Sequence, residues 1–276
     1  MSRRAPEPPP PSLAAATLWI VDLDGVVWLT GVPIGPVGEA VAELRSHGIR
    51  VVFATNNSAP TTGELLGRLD RIGIESAADD LATSAAAVAS LLVPGQRVRA
   101  LAGAGVHESL AARGVEVVEP DAVGPAEAAV VGWSRSFDFG TLTAMAATAR
   151  ESGRLMATNE DPTYPTPAGL VPGAGALLAA VATASGVTPE IAGKPHQAMA
   201  TLMQERFGFT HGDPSVVMVG DQPRTDGRLA ERLGIAFGLV DSGVTPAGAR
   251  GFDVPVAQRA PDFVSLVQAC LSPTPG

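Results

Sequence analysis

Cysteine is all but absent from this 276-residue chain. Cys270 stands alone near the C-terminus, so neither a disulfide framework nor a cysteine-held structural zinc can form. A cytosolic compartment is the resulting expectation. Positive charge is also scarce. Nineteen Lys and Arg against 28 Asp and Glu leave a formal net charge of -9, and such a surface cannot neutralise a phosphate backbone many times over. Nucleic acid is therefore set aside as a partner. Long apolar runs are missing too. The stretch from Leu13 ends at Asp22, too short to span a bilayer, and the prolines Pro8 to Pro11 stand where a signal peptide would begin its apolar region. No membrane partner is expected, and no repeat of solenoid period is evident.

What is present reads as a globular chain, 46% hydrophobic and 17% charged, long enough for one large core or two modest domains. Residues 1–12 are expected to form a disordered proline-rich extension. Beyond them, strand-like and helix-like runs alternate, which argues for a parallel sheet covered by helices. Strands are expected at 18–23 and 50–54, with helices at 37–47 and 61–72, the second capped by Thr61 or Thr62. From Ser84 an alanine-rich series begins, with strands in RVRALAG, VEVVE, AAVVGW and RLMATN. The four prolines of EDPTYPTPAGLVPGAGA exclude both helix interior and central strand, and an irregular stretch is expected there. The last third resumes with IAGKP, SVVMVGD and IAFGLV. One series enclosed by another predicts an α/β protein in which 84–185 is an inserted unit and 13–83 with 186–276 form the outer domain.

Acids collect at strand ends. LWIVDLDGVVW, residues 18–28, delivers Asp22 and Asp24 with Gly25 behind them, and SVVMVG delivers Asp221, followed by Asp226. In open parallel sheets the ligand crevice lies outside the carboxyl ends of the strands, so these acids are expected to converge. Clustered carboxylates repel unless a cation joins them, and a hard, oxygen-ligated ion such as magnesium fits best. Two other strands end in groups of the opposite kind. Arg50 to Ala54 runs into Thr55, Asn56, Asn57 and Ser58, donors suited to phosphoryl oxygens, and Gly193-Lys194-Pro195 contributes one lysine.

DLDGV, ATNNS, GKP and GDQPRTD, in that order at strand ends, resemble the four motifs of the haloacid dehalogenase superfamily. The insertion between the second and third, with NEDPTYP and PGAGA, is similar to the NagD-like, nitrophenylphosphatase branch with its large α/β cap. The resemblance runs from Leu18 to about Leu239 and implies a Rossmann-like doubly wound parallel-sheet core with an inserted α/β cap domain. It implies a magnesium-dependent phosphatase acting on a small phosphorylated metabolite, of the sugar phosphate, nucleoside monophosphate, glycerol phosphate or phosphoglycolate class. Asp22 would be the nucleophile that forms an aspartyl-phosphate, and Asp24 the general acid and base. Asp22, the backbone carbonyl of Asp24 and Asp221 would hold Mg2+. Thr55, Asn56 and Lys194 would bind the phosphoryl group, while Asp226 would orient its neighbours rather than ligate the metal. Gln222, directly after Asp221, departs from the commonest form of the fourth motif.

Arg135 falls where the branch has its specificity loop and is a candidate substrate contact; an exposed arginine is the simpler account. Asn159 and Asp161 match the branch pattern, and turn formation explains them as well. His196 reads as a helix-start residue, since no second histidine lies at ligand spacing. Halide release would need only the first aspartate, so Asp24, Asp221 and Lys194 favour phosphoryl chemistry. The competitor from another class is a non-catalytic dinucleotide-binding or phosphometabolite-binding regulatory protein. RVRALAGAGVHES offers Gly103 and Gly105 after a strand, but Glu108 occupies the third small-residue position. Oligomeric state stays open, with a homodimer through the alanine-rich cap as one arrangement.

Overall fold

The computed structural model describes residues 13–120, 122, 124–166 and 169–272; the expectation for 1–12 lies outside them. Six parallel strands form the first sheet, in the spatial order Gln258–Ala260, Ala236–Val240, Val216–Gly220, Leu18–Asp22, Arg50–Thr55, Leu81–Thr83. Leu18–Asp22 occupies a central place because it is apolar on both faces, as a strand covered from two sides must be. Trp19 and Val21 point into one layer with the helices Val37–Ser46, Thr62–Asp70 and Phe263–Leu271; Ile20 points into the other with Gln197–Phe207 and Arg228–Leu233. Side chains alternate between faces along a strand, and each large one fully buried contributes about 1.5–3 kcal/mol.

Five more parallel strands form the second sheet: Pro189–Ile191, Leu155–Ala157, Ala128–Val131, Arg97–Leu101, Glu116–Val118. One of its faces packs on Phe139–Ser152 and Ala174–Ser185 through Met145, Ala149, Leu178 and Val181. The other shares a continuous apolar cluster with the first sheet, joined by the helix Ser84–Ser90. Pro189–Ile191, expected with the outer series, belongs to this second sheet because it pairs with Leu155–Ala157.

Local signals hold where chemistry is specific. Thr61 caps its helix by a reciprocal pair of bonds with Glu64, Thr61 Oγ1 accepting from the Glu64 N–H at 3.2 Å and Glu64 Oε2 accepting from the Thr61 N–H at 2.8 Å. The proline-rich stretch differs from expectation. Thr163–Thr166 and Gly169–Pro172 pair as an antiparallel hairpin, which tolerates proline because it is a two-stranded ribbon with unpaired edges. Among the described residues no helix is long and apolar enough to cross a membrane.

Candidate active site

Carboxyl ends of both sheets meet at the segment after Arg50–Thr55. Asn56 lies at the junction. Its amide oxygen accepts from the Lys194 N–H at 2.8 Å, and its amide nitrogen donates to the Lys194 carbonyl at 3.1 Å and to Asp161 at 3.2 Å. Its own carbonyl accepts from Asn159 Nδ2 at 2.8 Å and Ser84 Oγ at 2.7 Å. Ser58 Oγ donates to Thr158 Oγ1 at 3.0 Å. One asparagine thereby ties the first sheet to the second and to the lysine loop.

Around that junction the acids converge as their positions at strand ends predict. Lys194 is buried, and its ammonium lies 2.7 Å from Asp22 Oδ1 and 2.7 Å from Asp226 Oδ1. Burial alone would pull this lysine down, but the carboxylates of Asp22 and Asp226 more than reverse that and hold it above the usual lysine range. Burial raises the Asp22 carboxyl well above its ordinary value, against the opposing pull of Lys194. Asp24 is raised mainly by burial as well; Trp28 Nε1 donates to it at 3.2 Å and Thr55 Oγ1 at 3.5 Å. Thr55 Oγ1 in turn accepts from the Asn57 N–H at 3.0 Å.

Asp221 is fully buried. Its Oδ2 accepts from the Val244 N–H at 2.6 Å, while its Oδ1 has no hydrogen-bond partner. Burial, with the Asp226 charge second, pushes this carboxyl up to about 7. Gly25, at φ 90°, lets the chain turn sharply here; a Cβ on it would stand 2.6 Å from Asp221 Oδ2. Carboxylate oxygens of Asp22, Asp221 and Asp226 lie within 4.8 Å of one another. A buried carboxylate oxygen without a partner, beside two further acids, fits a hard divalent cation. Asp226 differs from the other two, since its second oxygen already accepts from the Gln222 N–H at 3.1 Å.

The remaining expectations divide. Asn159 and Asp161 both bond to Asn56, so the NEDP loop positions the junction. His196 precedes the helix Gln197–Phe207 and meets Glu160 at 3.2 Å. Arg135 is exposed, its guanidinium 5.7 Å from the Trp133 ring centre, and Trp133 lies 6.0 Å from the ring of Tyr164. The Tyr164 hydroxyl accepts from Asn57 Nδ2 at 3.0 Å. Trp28, Ser84 and Tyr164 escape a sequence reading; of these only the position of Trp28 within LWIVDLDGVVW offers a signal. The dinucleotide alternative fails on packing. A Cβ on Gly103 would meet Ala59 Cα at 2.9 Å, and one on Gly105 would meet the Pro60 carbonyl oxygen at 2.1 Å, so the chain's own backbone fills the space a pyrophosphate would need.

Known proteins share this plan. Residues 19–116 match the model of the haloacid dehalogenase-like hydrolases, and 191–267 match a second model of HAD-like hydrolases. A D-glycerol 3-phosphate phosphatase of Mycobacterium tuberculosis is 34% identical over 255 residues, covering 89% of this chain and 68% of that protein. An acid sugar phosphatase of Staphylococcus saprophyticus is 29% identical, covering 82% and 87%. Among solved structures, a p-nitrophenyl phosphatase from Archaeoglobus fulgidus superposes with a TM-score of 0.84 at 28% identity, covering 92% of this chain and 99% of that one. A glycerol phosphate phosphatase from Mycobacterium tuberculosis in complex with magnesium gives 0.82 at 31%, covering 96% and 82%. With two parallel sheets meeting over buried acids and a lysine, and relatives that span nearly all of it, this chain belongs to the haloacid dehalogenase-like hydrolases.

Proposed function

We propose that the protein is a magnesium-dependent phosphatase that hydrolyses the phosphate monoester of a small metabolite through an aspartyl-phosphate on Asp22. The observation that carries this reading is the Lys194 ammonium 2.7 Å from Asp22 Oδ1, in a buried cluster that leaves Asp221 Oδ1 without a partner. Asp22, the Asp24 carbonyl and Asp221 would hold the ion. When bound, it supplies the positive charge that lets a carboxylate approach an anionic phosphate. In the first step a bond forms from an Asp22 carboxylate oxygen to phosphorus as the ester P–O bond breaks, and Asp24 gives its proton to the departing oxygen. In the second, Asp24 takes a proton from water as that water attacks the phosphoryl group and frees Asp22. Burial that raises the Asp24 carboxyl suits a group that must hold a proton before it gives it up.

Thr55, Lys194 and Asn56 receive the phosphoryl oxygens; Asn56 does so through its backbone, because its side-chain amide is committed to Lys194 and Asp161. Asp226 holds Lys194 in place and, with one oxygen on that ammonium and the other on the Gln222 N–H, would orient its neighbours rather than ligate the metal. The outer domain comprises 13–83 and 186–276 and the cap 84–185, with Pro189–Ile191 lending the cap sheet its edge. The relatives' names put sugar phosphates and glycerol phosphate first among substrates. The single cysteine, buried and free, favours the cytosol. A homodimer through the cap would cover Phe139, which is 84% exposed; its test is the solution mass. For the reaction itself, phosphate release from p-nitrophenyl phosphate is expected with magnesium and lost with a chelator. Release that persists in chelator refutes the metal's role.

A further inference from the structure

We propose that Arg259 is a positioning residue for the metal site, a role that rests on the phosphatase reading above. It pins the loop 241–249, and that loop holds Asp221 and the turn at Gly25 in the geometry that binds magnesium.

One short segment grips the site from both sides. The Val244 N–H donates to Asp221 Oδ2 at 2.6 Å, and Ser242 Oγ donates at 2.7 Å to the carbonyl of Gly25, the residue directly after Asp24. Gly243 lies between them. A Cβ on it would clash with the Asp221 carboxylate, so the backbone comes as close to that ligand as glycine permits. With Oδ2 fixed in this way, Oδ1 is the oxygen left without a partner, in the cluster with Asp22.

Secondary structure does not order that segment. Residues 241–257 are all described and contain neither helix nor strand, a length of irregular chain that is uncommon in a compact domain unless it serves a site. Arg259 supplies the order instead. Its Nε donates to Asp241 Oδ1 at 2.9 Å and Oδ2 at 3.1 Å, and its Nη2 lies 2.7 Å from Oδ1. Nη1 donates to the Ala249 carbonyl and Nη2 to the Pro246 carbonyl at 3.4 Å. Asp241 precedes Ser242, while Pro246 and Ala249 follow Val244, so one side chain fastens the loop on both sides of the segment that touches the site. The Phe252 ring adds a further contact, its centre 5.6 Å from the guanidinium carbon. Exposed ion pairs usually contribute little. This one is forked and largely shielded, with the two side chains 26% and 15% exposed, and a lysine could not make the same set of bonds.

The test is the magnesium Kd of the substrate-free protein, read from the rise of Tm as magnesium alone is added. Arg259→Met is expected to weaken that Kd by about tenfold, the lower end of what losing the support behind a metal ligand costs. Arg259→Lys is expected to weaken it less, since it keeps a charge for Asp241 but not the fork. Phosphate release from p-nitrophenyl phosphate should then need correspondingly more magnesium and recover as magnesium is raised. An Arg259→Met protein whose Tm in chelator falls while its magnesium Kd stays at the wild-type value overturns the proposal, because an arginine that only stabilises the fold would behave so. If Arg259→Met does not fold, Asp241→Asn loosens the same grip by a smaller change, and an unweakened Kd there overturns the proposal equally. Wild-type protein that binds magnesium without releasing phosphate overturns the phosphatase reading alone. Wild-type protein whose Tm does not respond to magnesium overturns both.

Discussion

The two sheets are built alike and end differently. Both are wholly parallel and covered by helices, yet Leu18–Asp22 and Val216–Gly220 lead into Asp22, Asp24 and Asp221, whereas Ala128–Val131 and Leu155–Ala157 lead into Gly132, Trp133, Thr158 and Asn159. The first set of strand ends is acidic; these two ends of the second sheet are neutral and aromatic, and Lys194 follows that sheet's edge strand. The difference teaches how labour divides. Buried carboxylates need a cation and a lysine to be tolerable, and the lysine beside them comes from the loop that follows Pro189–Ile191, the edge strand of the second sheet. The second sheet carries no comparable acid cluster among its described strand ends; it gives the Asn159 bond and the lysine loop that fix Asn56.

If the first sheet runs the chemistry, its end groups will matter for every ester alike. Asp22→Asn is expected to reduce phosphate release to background for all substrates, measured at saturating magnesium; ester-dependent residual turnover would break the division. Asp24→Asn is expected to lower kcat by about 10²–10⁴-fold, and less for p-nitrophenyl phosphate, whose good leaving group depends least on a proton. Lys194→Met strands Asp22 and Asp226 as buried like charges. By comparison with other broken buried pairs it should cost about 3–5 kcal/mol, read as a lower midpoint in urea unfolding.

Stability against pH sharpens the contrast further. Asp221 stands at about 7 in the fold against an ordinary 3.8, so the folded metal-free protein binds its proton more tightly than the unfolded chain does. The stability this confers is present below 3.8 and lost as pH rises through about 7. Chelated protein should therefore show a falling Tm across that window, and a divalent ion should flatten the slope. A Tm that instead rises between pH 5 and pH 8 without metal would contradict the burial assigned to Asp221. Smallest is the effect expected at the second sheet's end. Thr158→Val removes the acceptor for the Ser58 hydroxyl and should destabilise by about 1–2 kcal/mol, with no change in the metal requirement.

Much of this was legible in the chain. Acids after apolar runs at 22, 24 and 221, donors at 55–58 and a lysine at 194 are local facts, because strand ends and turns are written by short stretches of sequence. The cap at Thr61 was legible for the same reason. Trp28 and Tyr164 were not, since each acts on a group that only folding brings near it: Asp24 across a turn, and Asn57 across 107 positions. The hairpin at 163–172 hid behind its prolines, which exclude a central strand but not a two-stranded ribbon.

By itself, then, the sequence determined the alternation of strands and helices, the order of the four motifs and which acids stand at the strand ends, because these follow from local periodicity and side-chain chemistry. Tertiary structure decided the rest. It committed the Asn56 amide to Lys194, left one Asp221 oxygen without a partner, closed the glycine turn at 103–105 to a nucleotide, and carried Pro189–Ile191 into the second sheet. Each of these outcomes depends on distance and burial between residues far apart in the chain.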